Sequence, residues 1–180
     1  MATTDHYTLN QLLERLNKLE ARSQLGFGPA PVTRTIHCKR REECLWYFWN
    51  GPEGAEPIAY EAITGYAREL RITQGEYKNK PTYHLQLVLE CHNRSFVLEA
   101  GATSVFSKGL ILALAALTPE QLQSPITVCP QASQDEEKAL FCRLYQGAEL
   151  IRTVWPKEDE SAAFRFLLER AKTNVADACR

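Results

Sequence analysis

The chain has no excess of positive charge, no paired-cysteine motif and no long apolar run, and each absence bears on function. Its 180 residues carry 21 Lys and Arg against 22 Asp and Glu, a net charge of −1. A protein that grips polyanions indiscriminately is usually basic, so any nucleic-acid contact has to come from a local patch. The six cysteines, Cys38, Cys44, Cys91, Cys129, Cys142 and Cys179, are scattered with no C-x-x-C pair. Zinc sites usually draw their ligands as close pairs. The only adjacent Cys and His residues are His37 with Cys38 and Cys91 with His92, and neighbours on a strand point to opposite faces. No metal and no cofactor is expected, and the thiols are expected to be buried and reduced. No apolar stretch reaches membrane-spanning length, and the N-terminus shows no secretory apolar segment. No membrane partner is therefore expected. A cytoplasmic location is, in keeping with reduced thiols.

Catalytic signatures are missing as well. The sequence contains no G-x-x-x-x-G-K-[ST], no G-x-S-x-G, no H-E-x-x-H and no dinucleotide fingerprint. Its four histidines are His6, His37, His84 and His92. His84 and His92 share a strand face but lie eight residues apart, ~26 Å along an extended chain, so they cannot form one site. No enzyme is expected.

What is present is a β-rich chain with helices at both ends. Hydrophobic content of 44% is enough for a packed core. Residues 1–33 read as an N-terminal helix and linker, 34–155 as a β domain, and 156–180 as a C-terminal helix. In the first helix Thr8 and Gln11 have capping-box spacing, and Leu9, Leu12, Leu16 and Leu19 form an apolar stripe. That stripe either docks on the β domain or, with the C-terminal helix, forms an oligomer seam. Next come Lys39, Arg40 and Arg41, then an aromatic run of Trp46, Tyr47, Phe48 and Trp49. Alternation places Trp46 and Phe48 on one face of a strand and Tyr47 and Trp49 on the other.

A strand is predicted over 63–73, a loop over 74–81 and a second strand over 82–92. In this second strand Tyr83, Leu85, Leu87, Leu89 and Cys91 alternate with Thr82, His84, Gln86, Val88, Glu90 and His92, as in a half-buried strand. Asn93 and Arg94 turn the chain into a third strand over 95–100. A largely apolar helix is predicted over 105–117, capped by Thr103 or Ser104. Two further strands follow over 126–129 and 139–145, and another β-rich run covers 149–155. Acidic residues Glu158, Asp159 and Glu160 open the terminal helix, where the helix dipole favours them.

The order strand, strand, strand, helix, strand, strand, with Ile63, Thr64 and Gly65 opening the first strand, resembles an OB-fold domain of the kind that binds single-stranded nucleic acid. The likeness covers about half the chain and lies in element order, without the signature of a particular family. It implies a five-stranded barrel with the helix between strands three and four, and single-stranded DNA or RNA as ligand. Such a ligand would be held over strands two and three and by the loops joining strands one to two and four to five. These sites combine cations that track phosphates with aromatics that stack on bases. Tyr77, Lys78 and Lys80 supply that combination in the first loop, with Arg71 close by and Arg94 at the next turn. Lys39, Arg40, Arg41 and Trp46 form a second candidate patch. The loop through Asp135, Glu136 and Glu137 is acidic and would repel phosphate. Two functions follow: a non-catalytic protein binding single-stranded nucleic acid, with DNA the expected form, or a non-catalytic docking or scaffold subunit of a larger assembly. Salt dependence of binding separates them.

Overall fold

The computed structural model describes residues 33–41, 44–92, 94–156 and 160–180. The N-terminal helix expected around Leu9, Leu12, Leu16 and Leu19 lies outside these residues, and so does the oligomer seam proposed for it.

Alternating and β-branched stretches from Thr33 onward form nine strands. They are β1 (Thr33–His37), β2 (Tyr47–Trp49), β3 (Ala55–Pro57), β4 (Ile63–Tyr77), β5 (Lys80–Cys91), β6 (Arg94–Gly101), β7 (Ile126–Ala132), β8 (Leu140–Gln146) and β9 (Glu149–Leu150). Helix α1 (Val105–Ala116) and the short α2 (Pro119–Leu122) separate β6 from β7, and α3 (Glu160–Ala178) ends the chain. The strands make one sheet in the order β3-β2-β1-β6-β5-β4-β7-β8-β9. Every pairing is antiparallel except β1 with β6, which is parallel.

This sheet corrects the expected barrel. The five predicted strands exist as β4, β5, β6, β7 and β8, and the apolar helix does fall between the third and fourth of them. They do not close. Closure would require β6 to bond β8, but β1 already occupies the second edge of β6, with Thr33 opposite Ser95 through to His37 opposite Glu99. The outer edge of β8 carries β9. The fold is therefore a mixed open sheet with flanking helices.

The loop expected over 74–81 is also corrected. β4 and β5 stay paired as far as Tyr77 opposite Lys80, leaving only Lys78 and Asn79 between them. Both have positive φ, 51° and 59°, the conformation of a two-residue type I′ hairpin turn. β4 serves two neighbours: Ile63–Gly65 pair with β7, and from Tyr66 onward it pairs with β5, with a bulge between Ala67 and Glu69.

One sheet face is apolar. Leu85, Leu87 and Leu89 of β5, Leu70 of β4, Leu98 of β6 and Ile36 of β1 are buried with Phe106, Leu110, Ile111 and Leu114 of α1. Ser104 caps α1 by accepting from the Ser107 amide. The last carbonyls of α1 are met by α3, where Asn174 donates to Leu117 at 2.8 Å and to Leu114 at 3.3 Å. Leu168, Ala171 and Val175 form the buried stripe of α3. No helix among the described residues is long and apolar enough to cross a membrane.

Two substitutions test this packing. Leu87 is fully buried. Leu87→Ala should destabilise by about 2–5 kcal/mol and Leu87→Asp by at least about 3, read from denaturant midpoints. An unchanged midpoint for Leu87→Asp would displace it from the core. A Cβ at Gly65 would sit 2.8 Å from the Glu90 carbonyl oxygen and 2.6 Å from Cys91 Sγ. Gly65→Ala should therefore cost about 1–3 kcal/mol, although alanine suits strands better.

Candidate functional site

The face opposite the helices carries polar side chains that bond to one another across the sheet. Register decides which of them meet. Glu69 and Arg71 stand on β4, with Arg71 opposite Gln86 of β5. Gln86 stands opposite Glu99 of β6, and Glu99 opposite His37 of β1. His37 stands opposite Tyr47 of β2. Five neighbouring strands thus present one row, ~19 Å across at the usual inter-strand spacing.

The row is hydrogen-bonded along most of its length. Arg71 donates from Nη1 to Glu69 at 2.8 Å and from Nε to Gln86 at 2.9 Å. Gln86 Nε2 donates to Glu99 Oε2 at 2.7 Å. The other Glu99 oxygen lies 3.3 Å from His37 Nδ1 and 4.0 Å from His84 Nδ1. His37 stacks on Tyr47 with centroids 5.4 Å apart. The Arg41 guanidinium sits 4.5 Å from the Tyr47 ring centre and 5.8 Å from that of Trp49. A parallel group near the start of β4 places Arg68 over Tyr66 at 5.2 Å, with Arg68 also paired to Glu90. Rings with a cation over them and side-chain amides on a rigid sheet can stack planar groups and donate to anionic oxygens.

The third part is the far end of the β4–β5 hairpin. Every residue from 74 to 81 is exposed. Tyr77 is 65% exposed with Lys78 Nζ 5.3 Å from its ring centre, and Lys80 stands opposite it. Tyr83, 53% exposed, lies on the other face of the hairpin.

The residues singled out from sequence therefore separate. Tyr77, Lys78 and Lys80 share the hairpin end, and Arg71 lies lower on β4 within the polar row. Arg94 pairs with Cys91, at the opposite end of β5 from Lys80, eleven residues or ~36 Å of strand away. Arg94 does not join that cluster. Lys39 is exposed. Arg40 is used structurally, its Nη1 donating to the carbonyls of Ser133 at 3.0 Å and Glu136 at 3.3 Å, which ties the end of β1 to the β7–β8 loop. Trp46 is 2% exposed, and its Nε1 donates to the Tyr60 carbonyl at 2.9 Å, so the indole has no free face. His37, Gln86, Glu99, Tyr47 and Trp49 were missed as site residues. Alternation along β5 already put Gln86 outward, but its partners follow from cross-strand register.

Four of the thiols are made poorer nucleophiles by their surroundings. The Cys38 thiol is pushed well above its ordinary value by burial, with nearby Cys142 adding to the effect, and burial also raises Cys142. Cys91 and Cys129 are raised by partial burial. Among the described residues no group of three or more His, Cys, Asp or Glu is placed to hold a metal ion. Comparison with protein-family models, with curated proteins and with solved structures returned no match.

The thiolate is the reactive form. In the native protein at pH 8, an aromatic disulfide reagent should modify the exposed Cys179 first and leave Cys38 and Cys142 untouched until unfolding. Modification of Cys38 at the rate of Cys179 would contradict its burial.

Proposed function

We propose that this chain is a non-catalytic protein that binds single-stranded nucleic acid, gripping it with the end of the β4–β5 hairpin and laying it against the polar sheet face. The observation that carries this is the hairpin itself. Its last turns bury neither face, and an unsupported two-stranded ribbon contributes little stability of its own. Yet it carries Tyr77 and Tyr83 with Lys78 and Lys80, the side chains that stack bases and neutralise phosphates. A net charge of −1 fits a protein whose affinity is local to such an arm. The cysteines are free thiols, with Cys38 buried and Cys142 partly buried, which fits the reducing cytoplasm that goes with this reading.

The test is a titration of labelled single-stranded DNA and RNA oligonucleotides against the whole chain over a range of salt. Tyr77→Ala should weaken binding by about 1–3 kcal/mol, the range for one stacked base. Lys78→Ala combined with Lys80→Ala should flatten the log–log salt dependence by roughly 1.4, two phosphate contacts at about 0.7 each. Both variants should melt like the parent, since the hairpin end is exposed. Absence of binding by the parent at low salt would overturn the proposal and leave the arm as a protein-docking element.

A further inference from the structure

We infer a second base-stacking position at Trp49, at the opposite side of the sheet face from the hairpin arm, with Arg41 as its phosphate-facing cation; it rests on the nucleic-acid function proposed above and fixes where the strand leaves the protein. Four observations meet at this residue. Trp49 is 53% exposed, whereas Trp46 is buried and Tyr47 is 7% exposed in the same short segment. Its backbone is held in register, since β2 pairs with β1 through Tyr47 and with β3 from Tyr47 opposite Pro57 to Trp49 opposite Ala55. The ring is therefore displayed from a fixed strand, and stacking on it orders little that is not already ordered.

The second strand neighbour, Tyr47, is packed beneath: His37 stacks on it, and the Arg41 guanidinium reaches over both Tyr47 and Trp49. Among the described residues no carboxylate is paired with Arg41, whereas Arg34, Arg68 and Arg71 each have one. Glu56 on neighbouring β3 is already engaged by Arg34 and Asn50, both at 2.9 Å. Finally, Trp49 shares the strand side of Tyr47, which continues the row from Arg71 through Gln86, Glu99 and His37. A strand gripped by Tyr77 and crossing that row arrives at Trp49. The two stacking positions bracket a face of hydrogen-bonding groups on which bases rather than phosphates would rest, because Glu69 and Glu99 repel phosphate there.

Tryptophan fluorescence and binding together test this, with an oligonucleotide of about twelve nucleotides, within the usual range of site sizes. Binding to the parent should quench emission, because the exposed Trp49 indole stacks on a base while Trp46 is buried and Trp155 is half-buried against Phe164 and Lys108. Trp49→Phe should keep most of the affinity and lose most of the quenching. Trp49→Ala should weaken binding by about 5- to 150-fold, and Arg41→Gln should lower the salt dependence by about one phosphate contact. If Trp49→Ala and Arg41→Gln bind like the parent while Tyr77→Ala is weakened, the Trp49 position is overturned and the arm site stands. If the parent does not bind at low salt, both fall. Should Trp49→Ala melt early, Trp49→Phe decides: quenching that persists in it overturns the proposal.

Discussion

The parallel ladder between β1 and β6 is the pairing on which the rest of the molecule depends. Without it, β6 would be a free edge beside an apolar helix, and the five strands β4 to β8 could curl toward closure. With it, β6 is bonded on both sides, from Thr33 opposite Ser95 to His37 opposite Glu99, and the sheet stays open. The last two residues of β1, Ile36 and His37, pair with β2, which in turn carries β3, so the aromatic run is held beside the polar row. Parallel pairing needs a long connection, and here every intervening strand from β2 to β5 lies between the partners in sequence. One ladder thus sets both the architecture and the neighbours of His37.

Beneath that sheet, α1 supplies the mass that holds it. Phe106, Leu110, Ile111 and Leu114 share one buried cluster with Leu85, Leu87 and Leu89, and the helix is buried around most of its circumference because α3 and β8 pack against it. Asn174 then satisfies carbonyls at the end of α1 that would otherwise be orphaned in an apolar setting. Arg40 does the same kind of work on the β7–β8 loop. A cation that looks, from sequence, like part of a binding patch is here a clamp between distant segments.

The polar face combines near-neutral charge with dense hydrogen bonding. Arg71 is shared between Glu69 and Gln86, and Glu99 is held by Gln86 beside two imidazoles. Such a surface would not attract polyanions by field strength. It offers fixed donors and acceptors between two regions, the hairpin end and the Arg41–Trp49 corner, where cations and exposed rings coincide. The binding proposed for it would therefore be modest in its salt dependence and concentrated in few residues.

Most local elements follow from residue pattern alone. Alternation from Tyr83 to Cys91 set which side of β5 is buried, because strand side chains alternate with a period of two. The apolar stretch after Ser104 set α1, but the stretch 74–81, which reads as a loop, is paired strand except for the turn at Lys78 and Asn79. Tertiary structure alone decided what those elements join. Periodicity says which way a side chain points and nothing about which strand lies beside it, so an order of elements compatible with a barrel gave no sign that β1 would fill the edge of β6. For the same reason Trp46 could not be told from Trp49: both sit in one aromatic run, and only the docking of that run against β1 buries the first and leaves the second in water. The row from Arg71 to Tyr47 is drawn from five strands spread over more than fifty residues of chain, and it exists only once their registers are set.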